Sequence, residues 1–287
     1  MARKAKPLGV KLAGLYAALA TAAKQDLTSK RTRDALKAII AESHVQVGNA
    51  TSSGLTSNVP GKTYRMITLG IRTSRPVNDA LFDLTVPIQR IFDAADGNVP
   101  AMPILDKALY TAGMSYAIAA DITKDGDKKS PGTFFEIFVG HLVASVYKTI
   151  PDRSVNVPTL GATVSIPTDY VFALPNHRRL HLPVKMSTRE RVIQVWAHQK
   201  MLDGMLGVGT FKGMLVCATE TNKQQNVSVV EVCLPLQWAA YQMYIARLER
   251  IYYLDPPDKY IALRQTPPFI QVWPFSKFFT EAQQIII

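Results

Sequence analysis

Between Ala162 and Leu206 the spacing of apolar residues changes, and this change restricts the fold more than any other feature. ATVSIPTDYVFAL (162–174) and RRLHLPVKMS (178–187) read as strands joined by a Pro175-Asn176 turn signal. From about Thr188 to Leu206 the period lengthens to that of a helix, with Val192, Val195 and Trp196 on its apolar side. GMLVCATET (213–221) and VSVVEVCLP (227–235) return to strand. LQWAAYQMYIARLER (236–250) is a helix, and FIQVWPF (269–275) ends in a short strand. The β-β-α-β-β-α order calls for a mixed sheet flanked by helices, an α/β or α+β core of about 150 residues.

The preceding chain reads differently. Residues 1 to about 43 form basic helices, and Gly48–Lys62 is a Gly/Ser/Asn/Thr-rich loop. Tyr64–Thr73 alternates as a strand. Asp79–Ala95 and Ile104–Ala120 read as helices, with Pro87 as a break in the first. After a turn at Asp125–Gly132, an apolar helix runs from Thr133 to Ile150, with Thr133 and Glu136 spaced as a capping box. The expected organisation is a mainly helical region over 1–125 and a core over 126–287, together one compact unit.

Charge narrows the function. Lys and Arg number 33 against 22 Asp and Glu, a net charge of +11. Polyanions are favoured partners, nucleic acid first and an anionic membrane surface second. With 47% hydrophobic residues, the chain can bury a core and is not disordered throughout. Cys217 and Cys233 lie in apolar runs and read as small buried hydrophobes in a reduced compartment. No Cys/His spacing suggests zinc, and no apolar run reaches membrane-spanning length. Arg3, Lys4 and Lys6 followed by LAGLYAALATAA imitate a signal peptide. Leu12, Leu15, Tyr16 and Leu19 nevertheless share a helix face, and the reading favours a retained cytoplasmic helix.

The chemistry gathers around the 162–206 corner. A hairpin brings Asp169 on one strand to Lys185 on the next, and a lysine in an apolar strand needs a partner. Phosphodiester hydrolysis uses a metal to polarise the phosphoryl oxygen and activate water. Mg²⁺ prefers carboxylates, carbonyls and water, so Asp169 and the Val184 carbonyl form a candidate ligand set. Lys185 would orient the water and neutralise developing charge. Each residue also has a plainer role: Asp169 as a strand-edge turn residue, Glu136 as a carboxylate at a helix start, Arg189–Arg191 as a solvated face. Arginines at a helix start oppose its dipole, however, so another use is expected. Arginine donates twice to guanine, and glutamate accepts from cytosine. Arg189, Glu190 and Arg191 therefore carry the donor and acceptor set for adjacent G·C pairs.

These residues resemble the PD-(D/E)xK nuclease superfamily, specifically type II restriction endonucleases. The resemblance rests on Glu136 in GTFFEIFVGH, on Pro167-Thr168-Asp169 and on Pro183-Val184-Lys185, and covers roughly Gly132 to Pro235. KMSTRERVIQ is more specific: in one branch the lysine is followed by a Ser/Thr-rich turn and an Arg-Asp/Glu-Arg helix start that reads a CC/GG step. The resemblance implies a Mg²⁺-dependent, site-specific endonuclease acting on double-stranded DNA. A homodimer in the bacterial or archaeal cytoplasm would cut both strands of a short palindrome. Pro183 stands where an acid usually precedes the lysine, and Ala197-His198-Gln199 stands where some members carry a Glu. Glu136 is the first candidate for the second carboxylate and Glu190 the second. His198 stands between a ligand or base and simple packing. Other readings are a repair or mobile-element nuclease on the same fold, a DNA binder without catalysis, and a basic membrane-surface protein.

Overall fold

A computed structural model describes residues 8–124, 129–158 and 161–285. Two helices come first, α1 (Leu8–Gln25) and α2 (Lys30–Gly48). Four strands follow: β1 (Thr51–Ser57), β2 (Tyr64–Leu69), β3 (Arg72–Thr73) and β4 (Val77–Asn78). Next are α3 (Gln89–Ala95), α4 (Met102–Thr123) and α5 (Ser130–Tyr147). The strands β5 (Asp152–Pro158), β6 (Thr163–Ala173), β7 (Arg179–Leu182) and β8 (Val184–Lys185) precede a 3₁₀ turn at Arg189–Arg191 and α6 (Ile193–Leu206). The remainder comprises β9 (Phe211–Cys217), β10 (Thr221–Gln224), β11 (Ser228–Glu231), α7 (Pro235–Tyr244), β12 (Arg250–Tyr253), α8 (Asp258–Ile261), β13 (Val272–Pro274) and α9 (Phe278–Ile285).

The main sheet is mixed, as expected, in the order β13-β12-β9-β7-β6-β5, with β8 also paired to β9. Strands β5, β6 and β7 run antiparallel, whereas β7, β9, β12 and β13 are parallel. Both faces are covered, so the central strands are apolar throughout rather than alternating. On β9, Met214 and Val216 join the cluster under α4 and α5, while Leu215 and Cys217 face Val195, Trp196 and Trp238 of α6 and α7. α4 is buried on nearly every side from Leu105 to Ile122, the mark of a central helix. α5 lies close against the sheet at Gly140, where a Cβ would stand 2.5 Å from the Tyr170 ring. Glu136 lies one turn earlier on the same helix face, so this close approach carries it towards the Asp169 end of β6.

A second sheet has the order β10-β11-β1-β2-β3, with β4 on β2. Here the chain departs from its sequence pattern. The expected loop at Gly48–Lys62 contains β1, which pairs antiparallel with β2 and parallel with β11. Partners far along the chain override its loop-like composition. The expected helix Asp79–Ala95 is reduced to α3. Asn78 Oδ1 accepts from the Ala80 N–H (3.0 Å) and Asp83 Oδ1 from the Thr85 N–H (2.9 Å), local bonds that compete with a helix before Pro87. α5 starts at Ser130, with Pro131 in its first turn, so Thr133 caps nothing. Strands β5, β10 and β12, and helix α9, carried no sequence signal strong enough to be placed. The 125/126 division lies outside the described residues. No helix among those described is long and apolar enough to cross a membrane, and both cysteines are free.

Candidate active site

The β6–β7 hairpin sets the geometry. Tyr170 pairs with Leu182, and Tyr170 is buried, so Asp169 projects from the opposite face. The chain breaks at Pro183 and resumes as β8. Asp169 Oδ2 accepts from Lys185 Nζ at 2.7 Å and from the Val184 N–H at 2.8 Å. The Pro183 and Lys185 carbonyls accept from the Val216 and Ala218 N–H groups of β9. Strand alternation therefore turns the Val184 carbonyl away from β9, to the side where its own N–H meets Asp169. The Lys185 side chain is 40% exposed, so its ammonium sits at the mouth of a cleft rather than in the core.

Glu136 reaches the same region from α5. Its carboxylate accepts from Arg153 Nη1 at 2.9 Å, and the Arg153 guanidinium lies 4.7 Å from the centre of the Tyr170 ring. Burial pushes the Glu136 carboxyl above its ordinary range; the charge of Asp169 adds to this and Arg153 opposes it. Both carboxylates and the main-chain carbonyl beside one of them are hard oxygen donors, the type that Mg²⁺ prefers. Among the described residues there is no cluster of three or more His, Cys, Asp or Glu placed to hold a metal ion.

Pro167, Thr168 and Pro183 wall the cleft beside Asp169 and Lys185, and α6 adds Gln194, Val195 and His198. His198 is therefore at the cleft, while Gln199 turns inward. Gln199 Nε2 donates to the Phe211 carbonyl (2.9 Å) and to Asp203 (3.0 Å), leaving its Oε1 to His181 Nδ1 at 3.1 Å. That pattern assigns the proton to His181 Nδ1 and leaves Nε2 as an acceptor. His181 was missed in the sequence because it sits inside an apolar strand.

Burial pushes the His181 imidazole down to about 4, with the Gln199 bond partly opposing. Unfolded, the ring titrates near 6.5. Between these values the unfolded chain binds more protons than the folded one. Stability from this group is thus complete above about pH 6.5 and is lost as pH falls towards 4, by up to about 3 kcal/mol. Urea unfolding from pH 4.5 to 7 should give a shallower pH slope for His181→Gln than for wild type. Equal slopes would remove His181 as the source.

The Arg189–Arg191 corner is a 3₁₀ turn running into α6, not the regular helical turn expected. Arg189 has φ 38°, a left-handed backbone that costs a non-glycine residue about 1–2 kcal/mol. Glu220, fully buried between β9 and β10, holds it there. Glu220 Oε1 accepts from Thr188 N (2.9 Å), Thr188 Oγ1 (2.5 Å) and the Tyr253 hydroxyl (2.7 Å), and Oε2 approaches the Arg189 N–H at 3.4 Å. An acid in the apolar run LVCATET was the available signal for this residue. Arg191 is exposed, and Arg189 Nη2 reaches Asn222 Oδ1 only at 3.5 Å. The Glu190 side chain lies outside what is described, so its expected roles rest on sequence alone.

A mixed sheet covered by helices on both faces, with an acid and a lysine at the broken end of a hairpin, invites comparison with nucleases. No family model and no curated protein matches this chain. Solved structures do. The crystal structure of the Type IIP restriction endonuclease Kpn2I is similar over 96% of this chain and 97% of that one, with 23% identity and a TM-score of 0.80. A restriction endonuclease PspGI–substrate DNA complex aligns over 71% of this chain and 94% of that one, with 14% identity and a TM-score of 0.39. The chain has the restriction-endonuclease fold.

Proposed function

We propose that the protein is a Mg²⁺-dependent, site-specific endonuclease for double-stranded DNA, of the type II restriction class. The observation that carries this reading is Asp169 held by Lys185 and the Val184 N–H at the edge of an open cleft, with the Glu136 carboxylate close enough to be repelled. Asp169, Glu136 and the Val184 carbonyl would hold Mg²⁺, which supplies charge neutralisation and a more acidic water. Lys185 orients the attacking water from the cleft mouth and offsets negative charge building on the phosphate. His181 and His198 also line the cleft, their ring centres 6.5 Å apart, and would hold water there rather than replace a carboxylate.

Arg189 and Arg191 meet guanine edges or a neighbouring phosphate, and Glu190 accepts from cytosine amino groups. The target then contains CC/GG in each half, and a homodimer presents one such corner to each half-site. Supercoiled plasmid incubated with the protein and Mg²⁺ should yield discrete fragments, and chelator should prevent them. Sequenced fragment ends should share a palindrome with a GG/CC step. Binding to plasmid with no cleavage in Mg²⁺ or Mn²⁺ would identify a DNA binder that retains the fold without the chemistry.

A further inference from the structure

The segment after Lys185 also walls a second cavity, of about 380 Å³, that plays no part in the cleft. Ser187 and Arg189 form one side, Thr221 and Lys223 of β10 another, and the end of β3 with Arg75 and Asp121 a third. Its charges are unequally matched. Arg75 and Asp121 neutralise each other through paired bonds of 2.8 and 2.9 Å. Lys223 Nζ donates only to neutral oxygens, Thr73 Oγ1 at 2.8 Å and the Ser74 carbonyl at 2.7 Å, and approaches the Met66 sulfur at 3.6 Å. The Arg189 guanidinium finds only the neutral Asn222, and its Nε is buried without a partner. Among the described residues, neither Lys223 nor the Arg189 guanidinium touches a carboxylate. Burial lowers the Lys223 ammonium below the ordinary lysine value, with Asp121 opposing, as befits a cation short of counter-charge. Hydroxyls of Ser187, Thr219 and Thr221 complete the lining.

Two under-matched cations lining one cavity with Ser187 and Thr221 make a site for a tetrahedral oxyanion. The cavity adjoins the corner assigned to base reading, four residues beyond Lys185. We propose that it is a phosphate subsite in which Lys223 and Arg189 hold one backbone phosphodiester of the DNA beside the bases read at that corner. This rests on the nuclease reading above. It gives β10, and with it the second sheet, a direct part in fixing the register of DNA on the main sheet.

The test uses cognate duplexes that each carry one neutral methylphosphonate, stepped along both strands, bound in Ca²⁺ by the full-length protein. Wild type should lose about tenfold in affinity at one position per half-site through this contact, the scale of one charge-assisted bond. Lys223→Met should lose a similar amount on unmodified DNA and be less sensitive at that position, where Arg189 remains. Its salt dependence should fall by about one unit per phosphate contact, on cognate and scrambled duplexes alike. Lys223→Gln, which can still bond to Thr73 and Ser74, should behave the same way and covers a folding failure of the methionine variant. If both variants retain the full wild-type pattern of sensitive positions, the subsite is refuted while the nuclease reading stands. Wild type that binds no duplex at any salt overturns the nuclease reading itself. Lys223-dependent binding of inorganic phosphate without any position-specific methylphosphonate effect would mark a free-phosphate site and overturn the DNA assignment.

Discussion

Lys185→Ala is expected to remain folded and to cut plasmid DNA on the order of 10³-fold more slowly than wild type, or not at all. The lysine ammonium is partly exposed, so its loss removes little packing, and the pair with Asp169 adds only modestly to stability. Asp169 keeps the Val184 N–H as a donor, so no buried charge is stranded. Activity should suffer far more than folding because the same ammonium would orient water and meet charge that exists only in the transition state. Lys185→Arg should restore the positive charge but little activity, since a planar guanidinium cannot occupy the place of a compact ammonium. Binding of cognate duplex in Ca²⁺ should survive in both variants, because phosphate and base contacts lie elsewhere. Cleavage by Lys185→Ala at the wild-type rate, with unfolding midpoints unchanged, would place the active site somewhere else.

Glu220→Ala should have the largest effect on stability, lowering the unfolding free energy by about 3–5 kcal/mol. The substitution strands the Thr188 N–H, the Thr188 hydroxyl and the Tyr253 hydroxyl in the interior, and each lost partner costs about 1–3 kcal/mol. It also releases the left-handed backbone at Arg189, so the protein that does fold should discriminate poorly between cognate and scrambled duplexes. Arg189→Ala separates the two effects. Its unfolding midpoint in urea should stay near wild type, while cognate binding weakens by about 1–3 kcal/mol more than scrambled binding, which loses only the phosphate contact. An equal loss on both duplexes would leave Arg189 with the backbone contact alone and remove it from base reading. If Glu220→Ala unfolds at the wild-type urea concentration, the carboxylate is not what holds this corner.

The order of strand, Pro-Asn turn, strand and helix from 162 to 206 was sufficient to anticipate a mixed sheet with Asp169 and Lys185 side by side. A hairpin is local, its register is set by which face must be buried, and Tyr170 opposite Leu182 fixes that choice. The lysine was conspicuous for the same reason: an ammonium in an apolar run implies a partner nearby, and Asp169 supplies it at 2.7 Å. Glu136 was visible as a candidate, but the capping box proposed for it was not its setting. Its position comes from α5 pressing Gly140 onto Tyr170, a contact between elements 30 residues apart in the chain.

Long-range packing decided the rest. β1 lies in a stretch that reads as a loop because its Gly and Asn disfavour strand and its Ser residues favour turns. It becomes a strand because β2 on one side and β11, more than 170 residues later, on the other satisfy its backbone. Glu220 and His181 look in the sequence like odd polar residues in apolar strands. Burial makes one a clamp on the Arg189 backbone and the other a neutral imidazole at the cleft. The periodicity of the chain fixes which face each strand buries, since that depends on neighbours two residues away. Which carboxylate meets which lysine, and which arginine is left short of counter-charge, depends on contacts between distant segments, and only the folded chain creates those.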